Sequence, residues 1–339
     1  MGDVHTVLVT GGTGFIGSHI IKQLLEQQYR VRATARSAAR LQSVFPDAGH
    51  QLEVVEVATL TSDYTEALRG VDAIIHCASP IPLKEKNNML ILQQTVEGAN
   101  HLIQQSLNAG VKKIVYTSSI SALFPVGSKA AFDTELVTAE IVPSVSLDEV
   151  KIEEHNPISI YQVAKIAAEN NIWNLARCHP EVDFTVIIPP ATFGPFVPNY
   201  PFASDQLTYG SNGYIFQLLS GQYQPNAIGH GTDVRDIAKA HVLALRAPRP
   251  SNGQDKRFFV NGKIFTWEEV VRIIRKERPE LSARLPSEGA VCPVPQTKAP
   301  TDDSFVKEVL GLTEFVPWRK TVLDTIDAID AIEEKRSID

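Results

Sequence analysis

The chain has 339 residues, 43% hydrophobic and 21% charged, a balance that excludes global disorder and allows two domains or one large domain with an elaboration. Its formal net charge of −7 argues against a nucleic acid or an anionic membrane as partner, because both demand clustered Lys and Arg. Three cysteines, Cys77, Cys178 and Cys292, are too few and too far apart for a disulfide framework or a cysteine zinc site, and they suit a reducing compartment.

The first half alternates between strand-like and helix-like segments. Val4 to Thr10 is β-branched and apolar and reads as a buried strand. Gly14 to Gln28 places Ile16, Ile20, Ile21, Leu24 and Leu25 on one helical face. Strands are expected at 31–35, 52–57, 73–77, 113–117 and 183–188, with long helices at 88–108 and 159–178. Such alternation predicts an α/β fold, a doubly wound parallel sheet covered on both faces, over residues 1–188. Residues 189–228 are rich in proline and aromatics and read as irregular. The amphipathic segment 233–246 should return to pack on the sheet domain. Residues 256–339 supply one strand (RFFV), a helix after Thr266 with Glu269 in capping-box spacing, and a last helix after Pro317. Segments 189–232 and 247–339 are therefore expected to form a smaller substrate-binding lobe beside the sheet's carboxyl edge, where ligands of such folds bind. No apolar run reaches bilayer length. Strand-like sequence starts at Val4 with no cleavable leader before it, so a cytoplasmic enzyme is expected.

Between the first strand and first helix lies Thr10-Gly11-Gly12-Thr13-Gly14-Phe15-Ile16-Gly17. Gly11 permits the tight turn, Gly14 lets backbone approach a pyrophosphate, and Gly17 lets the helix pack close to the strand. The free amides of the helix start then face phosphate. A dinucleotide site for NAD would place an acid near the end of the second strand. Here no acid occurs between Glu26 and Asp47, and Arg30, Arg32, Arg36 and Arg40 stand instead. Arg36 just past the strand and Arg40 one turn later can address one anion, which selects NADP(H) through its 2′-phosphate.

Tyr161 and Lys165 are four residues apart in a predicted helix and share a face. Ser118 and Ser119 stand where the fifth strand ends, on the same edge as the glycine turn. Carbonyl reduction needs a proton at oxygen while hydride arrives at carbon. A phenol titrates near ~10 when unperturbed. A neighbouring ammonium is expected to pull it down, and a serine hydroxyl can orient the carbonyl oxygen.

These residues resemble the extended short-chain dehydrogenase/reductases of the epimerase/dehydratase superfamily. Within it they resemble the dihydroflavonol reductase-like group, which includes fungal NADPH-dependent methylglyoxal and aldehyde/ketone reductases. The resemblance runs over nearly the whole chain. It is carried by VTGGTGFIGSHI (Val9–Ile20), ARSAAR (Ala35–Arg40), HCASP (His76–Pro80), YTSSISAL (Tyr116–Leu123), YQVAKIAAE (Tyr161–Glu169), PPATFGP (Pro189–Pro195) and DVRDIAKAHVLAL (Asp233–Leu245). It implies a Rossmann fold, NADP(H) and carbonyl reduction, with Ser119, Tyr161 and Lys165 as the catalytic set. The cofactor-contacting positions it implies are Gly11 to Gly17, Arg36, Arg40, Thr59, Leu60, Ala78, Thr117, Pro189 and Thr192, besides Tyr161 and Lys165. Three positions depart from the group. Thr59 stands where an Asp usually meets adenine, Ile188 where Asn or Arg is common, and Ala191 where some relatives present an aromatic.

The substrate is expected against Ile81, Phe124, Ala191 and Phe193, in a pocket that also draws on the loop 80–83 and the aromatics of 189–216. That stretch offers no cation between Pro189 and Gly229, so the expected partner is a neutral, largely apolar carbonyl compound. The oligomeric expectation is a monomer or homodimer. His76 and Cys77 have no second ligand pair at suitable spacing, and no metal is expected. His230 and His241 read as structural or solvated, and Asp233, Arg235 and Asp236 as a helix-start ion network. Two enzyme alternatives keep the same motifs, a 3β-hydroxysteroid-type dehydrogenase/isomerase and an epimerase or dehydratase. A non-catalytic NADP(H)-sensing regulator is a third reading, although such proteins usually lack the Tyr-Lys pair.

Overall fold

The computed structural model describes residues 4–80, 85, 87–126, 136–202, 210–222, 229–287, 290–292 and 299–338. Along the described chain the strands are β1 (Thr6–Thr10), β2 (Arg30–Ala35), β3 (Leu52–Glu56), β4 (Ala73–His76), β5 (Lys113–Thr117), β6 (Asp183–Ile188), β7 (Ala191–Phe193), β8 (His230–Asp233), β9 (Lys256–Phe259) and β10 (Lys263–Ile264). The α-helices are α1 (Phe15–Glu26), α2 (Ala38–Gln42), α3 (Thr65–Leu68), α4 (Asn88–Asn108), α5 (Pro157–Cys178), α6 (Asn212–Leu219), α7 (Val234–Ala244), α8 (Trp267–Glu277) and α9 (Trp318–Ile338).

Seven strands pair in parallel in the order β3-β2-β1-β4-β5-β6-β9. This is the Rossmann-like, doubly wound α/β arrangement expected from the alternation. Strand periodicity explains its two cores. Leu8, Ile74, Ile114, Val186 and Ile188 face α4 and α5, where Leu102, Val163 and Ala167 meet them. Val7, Val9, Ile75, Val115 and Ile187 face the other way, toward Ile20 and Leu24 of α1 and Ile237 and Ala240 of α7. Both faces are covered, which is why these strands are almost continuously apolar. Helix α7 thus returns to the sheet as anticipated.

The strand RFFV does not belong with the C-terminal lobe. It pairs with β6, from Thr185↔Lys256 to Ile188↔Phe259, as the seventh strand of the main sheet. Phe258 and Phe259 bury into opposite cores, and a run apolar on both faces is satisfied only in a sheet covered on both sides. The lobe also has a sheet of its own, in the order β10-β8-β7. Its strands are two to four residues long, too short to leave a periodic signal. The lobe's core joins Phe193, Phe265, Trp267, Ile215, Leu218, Ile274, Val322 and Ile326 from β7, α6, α8 and α9.

Thr266 caps α8 by accepting from the Glu269 amide at 3.1 Å. Only half of the expected box forms, because the Glu269 carboxylate pairs with Lys263 at 3.1 Å instead. Thr266→Ala should therefore cost about 1 kcal/mol of stability, seen as a lower urea midpoint at unchanged slope. An unmoved midpoint would show that the cap contributes nothing.

Candidate active site

Strand order reverses between β1 and β4, and open α/β sheets bind ligands at such a point. There Thr10 lies beside His76. The Thr10 hydroxyl and His76 Nδ1 are hydrogen-bonded at 2.7 Å, and the same hydroxyl accepts from the Ala78 amide at 3.2 Å. The glycine turn is wedged against this junction. Gly11 has φ +76°, and a Cβ on it would lie 2.9 Å from the Ala78 nitrogen, so only glycine fits. A Cβ on Gly17 would collide with the Gly11 carbonyl, so Gly17 packs helix against turn as expected. Gly14 is the N-cap of α1 with no side chain capping the helix start. A Cβ there would meet only the Gly11 oxygen, at 3.0 Å. The turn is therefore a cradle of amides open to an anion.

Of the four arginines near β2, two face away from this site. Arg30 lies at the strand's amino end, and Arg32 is spent on Glu53 at 2.6 Å and on the Arg69 carbonyl at 2.6 Å. Arg36 is exposed just past the strand with no partner among the described residues. Arg40 donates to the Pro201 carbonyl at 2.7 Å. An unspent guanidinium beside the amide cradle fits a dinucleotide that carries a 2′-phosphate. Thr59 is exposed and its hydroxyl lies within its own turn, 3.0 Å from Ser62 Oγ and 3.3 Å from Thr61 Oγ1. Leu60 packs on Gly98 of α4.

The catalytic candidates meet where β5 ends. Asn156 caps α5 and Pro157 opens it, which puts Tyr161 early in the helix. The Ser119 hydroxyl acts on the Tyr161 phenol, pulling its pKa down. Lys165 is buried, its Nζ donating to the Thr117 carbonyl at 3.1 Å and lying 5.7 Å from the centre of the Tyr161 ring. The two serines have different tasks. Ser118 turns inward and donates to Glu169, leaving Ser119 as the hydroxyl at Tyr161.

Electrostatics correct one expectation. Burial pushes the Tyr161 phenol up to about 12, against the opposing pull of the Ser119 hydrogen bond. Burial also brings Lys165 down to about 8. Desolvation outweighs the pull of Ser119, so the expected lowering of the phenol does not occur and burial favours its neutral form.

Thr117 joins the site to the opposite face of the sheet. Its hydroxyl lies 2.7 Å from His241 Nε2, while His241 Nδ1 lies 2.8 Å from the Ile237 carbonyl. A carbonyl only accepts, so Nδ1 carries the proton and Nε2 accepts from Thr117. Burial raises the pKa of the Cys77 thiol, against the opposing pull of the same hydroxyl. His230 is also structural, 2.8 Å from the Ala299 carbonyl. Asp233 is held by Arg235 at 2.7 Å and by the Thr321 hydroxyl at 2.8 Å, and Arg235 reaches Asp324 at 2.7 Å. The ion network thus runs through Asp233 and Arg235 and ties α7 to α9, while Asp236 stands outside it and accepts from the Val316 amide at 2.9 Å. Among the described residues no group of His, Cys, Asp or Glu could hold a metal ion, and no helix is long and apolar enough to cross a membrane.

The structure redistributes the substrate candidates. Ala191 is half-buried at the start of β7, and Phe124 is half-buried just past the 3₁₀ turn Ile120–Leu123 that follows Ser119. Phe193 is fully buried, with edge contacts to Phe265, Trp267 and Trp318. It packs the lobe and offers a substrate no surface. Ile188 is likewise fully buried, on the α4–α5 side of the sheet. Phe196, Tyr200 and Phe202 cluster with one another, and Phe196 rests on Phe15 at 5.0 Å. They strap the lobe to α1. Ile81 and the rest of 81–84 lie outside the described residues. Pro189 accepts from the Ile120 amide at 2.9 Å, and the buried Thr192 donates to the Pro190 carbonyl at 3.1 Å. A cavity of about 800 Å³ opens at the opposite, amino edge of the sheet, between Tyr29, Arg30, Lys113 and Arg246, remote from these groups.

The family model for the NAD dependent epimerase/dehydratase family matches residues 7–260. The chain belongs to that family. It is 30% identical over 324 residues to the ketoreductase azaE of Aspergillus niger, covering 91% of this chain and 92% of that protein. The crystal structure of Gre2 from Candida albicans in complex with NADPH superposes with a TM-score of 0.78 at 26% identity, over 96% of this chain and 99% of that one. Yeast methylglyoxal/isovaleraldehyde reductase Gre2 complexed with NADPH shares the fold, with a TM-score of 0.82 at 23% identity over 97% and 99% of the two chains.

Sequence reasoning assigned no role to Glu169 or Arg257. Glu169 had a signal in its spacing, one turn beyond Lys165. Arg257 had none, since its contacts exist only once β9 joins the main sheet.

Proposed function

We propose that this chain reduces the carbonyl group of a neutral, largely apolar ketone or aldehyde to the alcohol. The chain is an oxidoreductase that works with NADP(H), a reading supported by its relatives, which include a ketoreductase and a reductase crystallised with NADPH. The amides of the Gly11–Gly17 turn would hold the pyrophosphate, and Arg36 and Arg40 the 2′-phosphate. The bound cofactor supplies hydride to the carbonyl carbon. Ser119 orients the carbonyl oxygen, and Tyr161 gives it a proton. Lys165, fixed to Thr117, keeps positive charge beside the phenol as it loses that proton. What supports this reading is the grouping of Ser119, Tyr161 and a Lys165 anchored to the Thr117 carbonyl at 3.1 Å, on the sheet edge that also bears the glycine turn. The absence of any Lys or Arg between Pro189 and Gly229 supports an uncharged substrate.

The test is NADPH oxidation across a panel of ketones, aldehydes and steroids, with chiral analysis of products. Reduction of neutral carbonyls is expected. Turnover of nucleotide sugars alone, steroid isomerisation, or no turnover with any carbonyl would overturn the reading. Arg36→Ala tests the cofactor assignment separately. A charge-assisted hydrogen bond contributes about 1.5–3 kcal/mol, so NADPH affinity should fall about tenfold or more while NADH affinity barely moves. Equal losses for the two cofactors would remove Arg36 from the 2′-phosphate.

A further inference from the structure

The catalytic face of α5 carries a third residue. Tyr161, Lys165 and Glu169 follow at four-residue spacing and so form one row along the helix. The row addresses three consecutive residues at the end of β5. The Ser119 hydroxyl acts on Tyr161, lowering its pKa. Lys165 donates to the Thr117 carbonyl at 3.1 Å. Glu169 accepts from the Ser118 hydroxyl. The Glu169 carboxylate is 2% exposed and Ser118 3%. Its second oxygen accepts from Trp173 Nε1 at 3.3 Å and from Arg257 Nε. Arg257, 4% exposed on β9, also donates to the carbonyls of Ala139, Ile141 at 2.6 Å and Ala122 at 3.4 Å. A buried carboxylate is costly unless paired and hydrogen-bonded, and this one is fully engaged.

We propose that Glu169, held in place by Arg257, is a positioning residue that sets the Ser119 hydroxyl against Tyr161 by gripping Ser118. The proposal rests on the catalytic reading of Ser119, Tyr161 and Lys165 given above. Two hydrogen bonds from the helical row, Lys165 to Thr117 and Ser118 to Glu169, fix the register in which the next residue, Ser119, meets Tyr161. Ser119 has a competing local use, because its hydroxyl also accepts from the Ser121 amide at 3.2 Å. With Ser118 anchored, the backbone at 119 is held and the hydroxyl stays within reach of the phenol. With that anchor gone, the turn is free to rotate toward Ser121. Misplacement of a reacting group by an ångström is enough to slow a reaction substantially.

Glu169→Gln would strand the Arg257 charge and endanger the fold, so milder variants are needed. Ser118→Ala deletes the contact and leaves the ion pair whole. Glu169→Asp keeps the charge for Arg257 but withdraws the carboxylate from Ser118. Each should lower kcat about tenfold, an orientation effect, while NADPH affinity, read by fluorescence titration, stays within about twofold. The deciding measurement is a double-substitution cycle with Ser119→Ala. If Ser118 acts through Ser119, Ser118→Ala should cost nothing further once Ser119 is alanine. A merely structural role would multiply the two losses and lower the melting temperature in step. Multiplied losses, or a Ser118→Ala enzyme with full kcat, overturn the positioning role. Should Ser119→Ala itself leave kcat intact, the catalytic reading fails and the proposal falls with it.

Discussion

Tyr161→Phe should lower kcat by about 10²-fold or more, the scale of general acid catalysis, while NADPH still binds. The substitution keeps the ring beside Lys165, 5.7 Å from its centre to Nζ, and removes only the hydroxyl. That hydroxyl is a donor across the neutral range because burial pushes its pKa up to about 12. In the proposed reaction charge develops on the substrate oxygen as hydride arrives, and the phenol is the group that neutralises it. Ser119 can orient an oxygen but is far too weak an acid to replace a phenol. Steady-state kinetics with a fluorescence-measured NADPH affinity separate the two effects. A Phe variant with most of its activity would mean that the proton comes from elsewhere.

Acid should destabilise this protein before most of its carboxylates titrate. Three imidazoles are buried in neutral form. Burial lowers His76 to about 3, and His19 and His241 to about 4, from 6.5. His19 donates to the Pro195 carbonyl at 2.8 Å, and His76 and His241 lie within the sheet's cores. Their folded-state values are depressed, so between 6.5 and about 4 the unfolded chain binds protons that the folded chain refuses. Stability then rises with pH in that window and is lost as pH falls through it. At one pKa unit for roughly 1.4 kcal/mol, the three groups together cost about 6 kcal/mol by pH 5. Asp236 works in the opposite direction. Burial raises it to about 6, and its protonation in the fold returns about 1 kcal/mol at that pH. The remainder rivals the whole stability of an ordinary domain. Urea unfolding at pH 7, 6 and 5 should show the midpoint falling steeply over the last step. A flat profile down to pH 5 would mean that these rings take up protons inside the fold.

What was legible in the sequence is whatever local pattern encodes. The six strands of the first half stand within one or two residues of their expected places, because a two-sided parallel sheet writes itself as uninterrupted β-branched runs. The glycine turn was legible for the same reason, since each glycine answers a steric demand made within a few residues or by the neighbouring strand. Tyr161 and Lys165 could be paired from helical spacing, and Ser118 and Ser119 placed from the strand end, while the choice of Ser119 between the serines came from the family resemblance. The lobe was legible only in part. Phe193 looked like a pocket residue among aromatics, yet it packs under Trp267 and Trp318, partners more than 70 positions away that no local pattern announces. The direction of the Tyr161 shift was also hidden. A charged neighbour can be read from spacing, but the degree of desolvation that opposes it depends on everything packed above the ring.

The path of the chain between sheet and lobe has a consequence for folding. The chain leaves the main sheet after β6, comes back to lay α7 against α1, leaves to form β8's pairing with β10, and places β9 at the sheet's edge between those excursions. A fragment ending at Ile188 would keep six strands and Ser119, Tyr161 and Lys165. It would nevertheless bare Val7, Val9, Ile75 and Ile187, which α7 covers, and leave Glu169 without Arg257. Neither half is therefore a separable module. Loop closures spanning more than 70 residues, such as Asp183 to Lys256, must be completed before the first half is sealed. Synthesis of the first half therefore ends before α7 and β9, the segments that complete its packing, have been made.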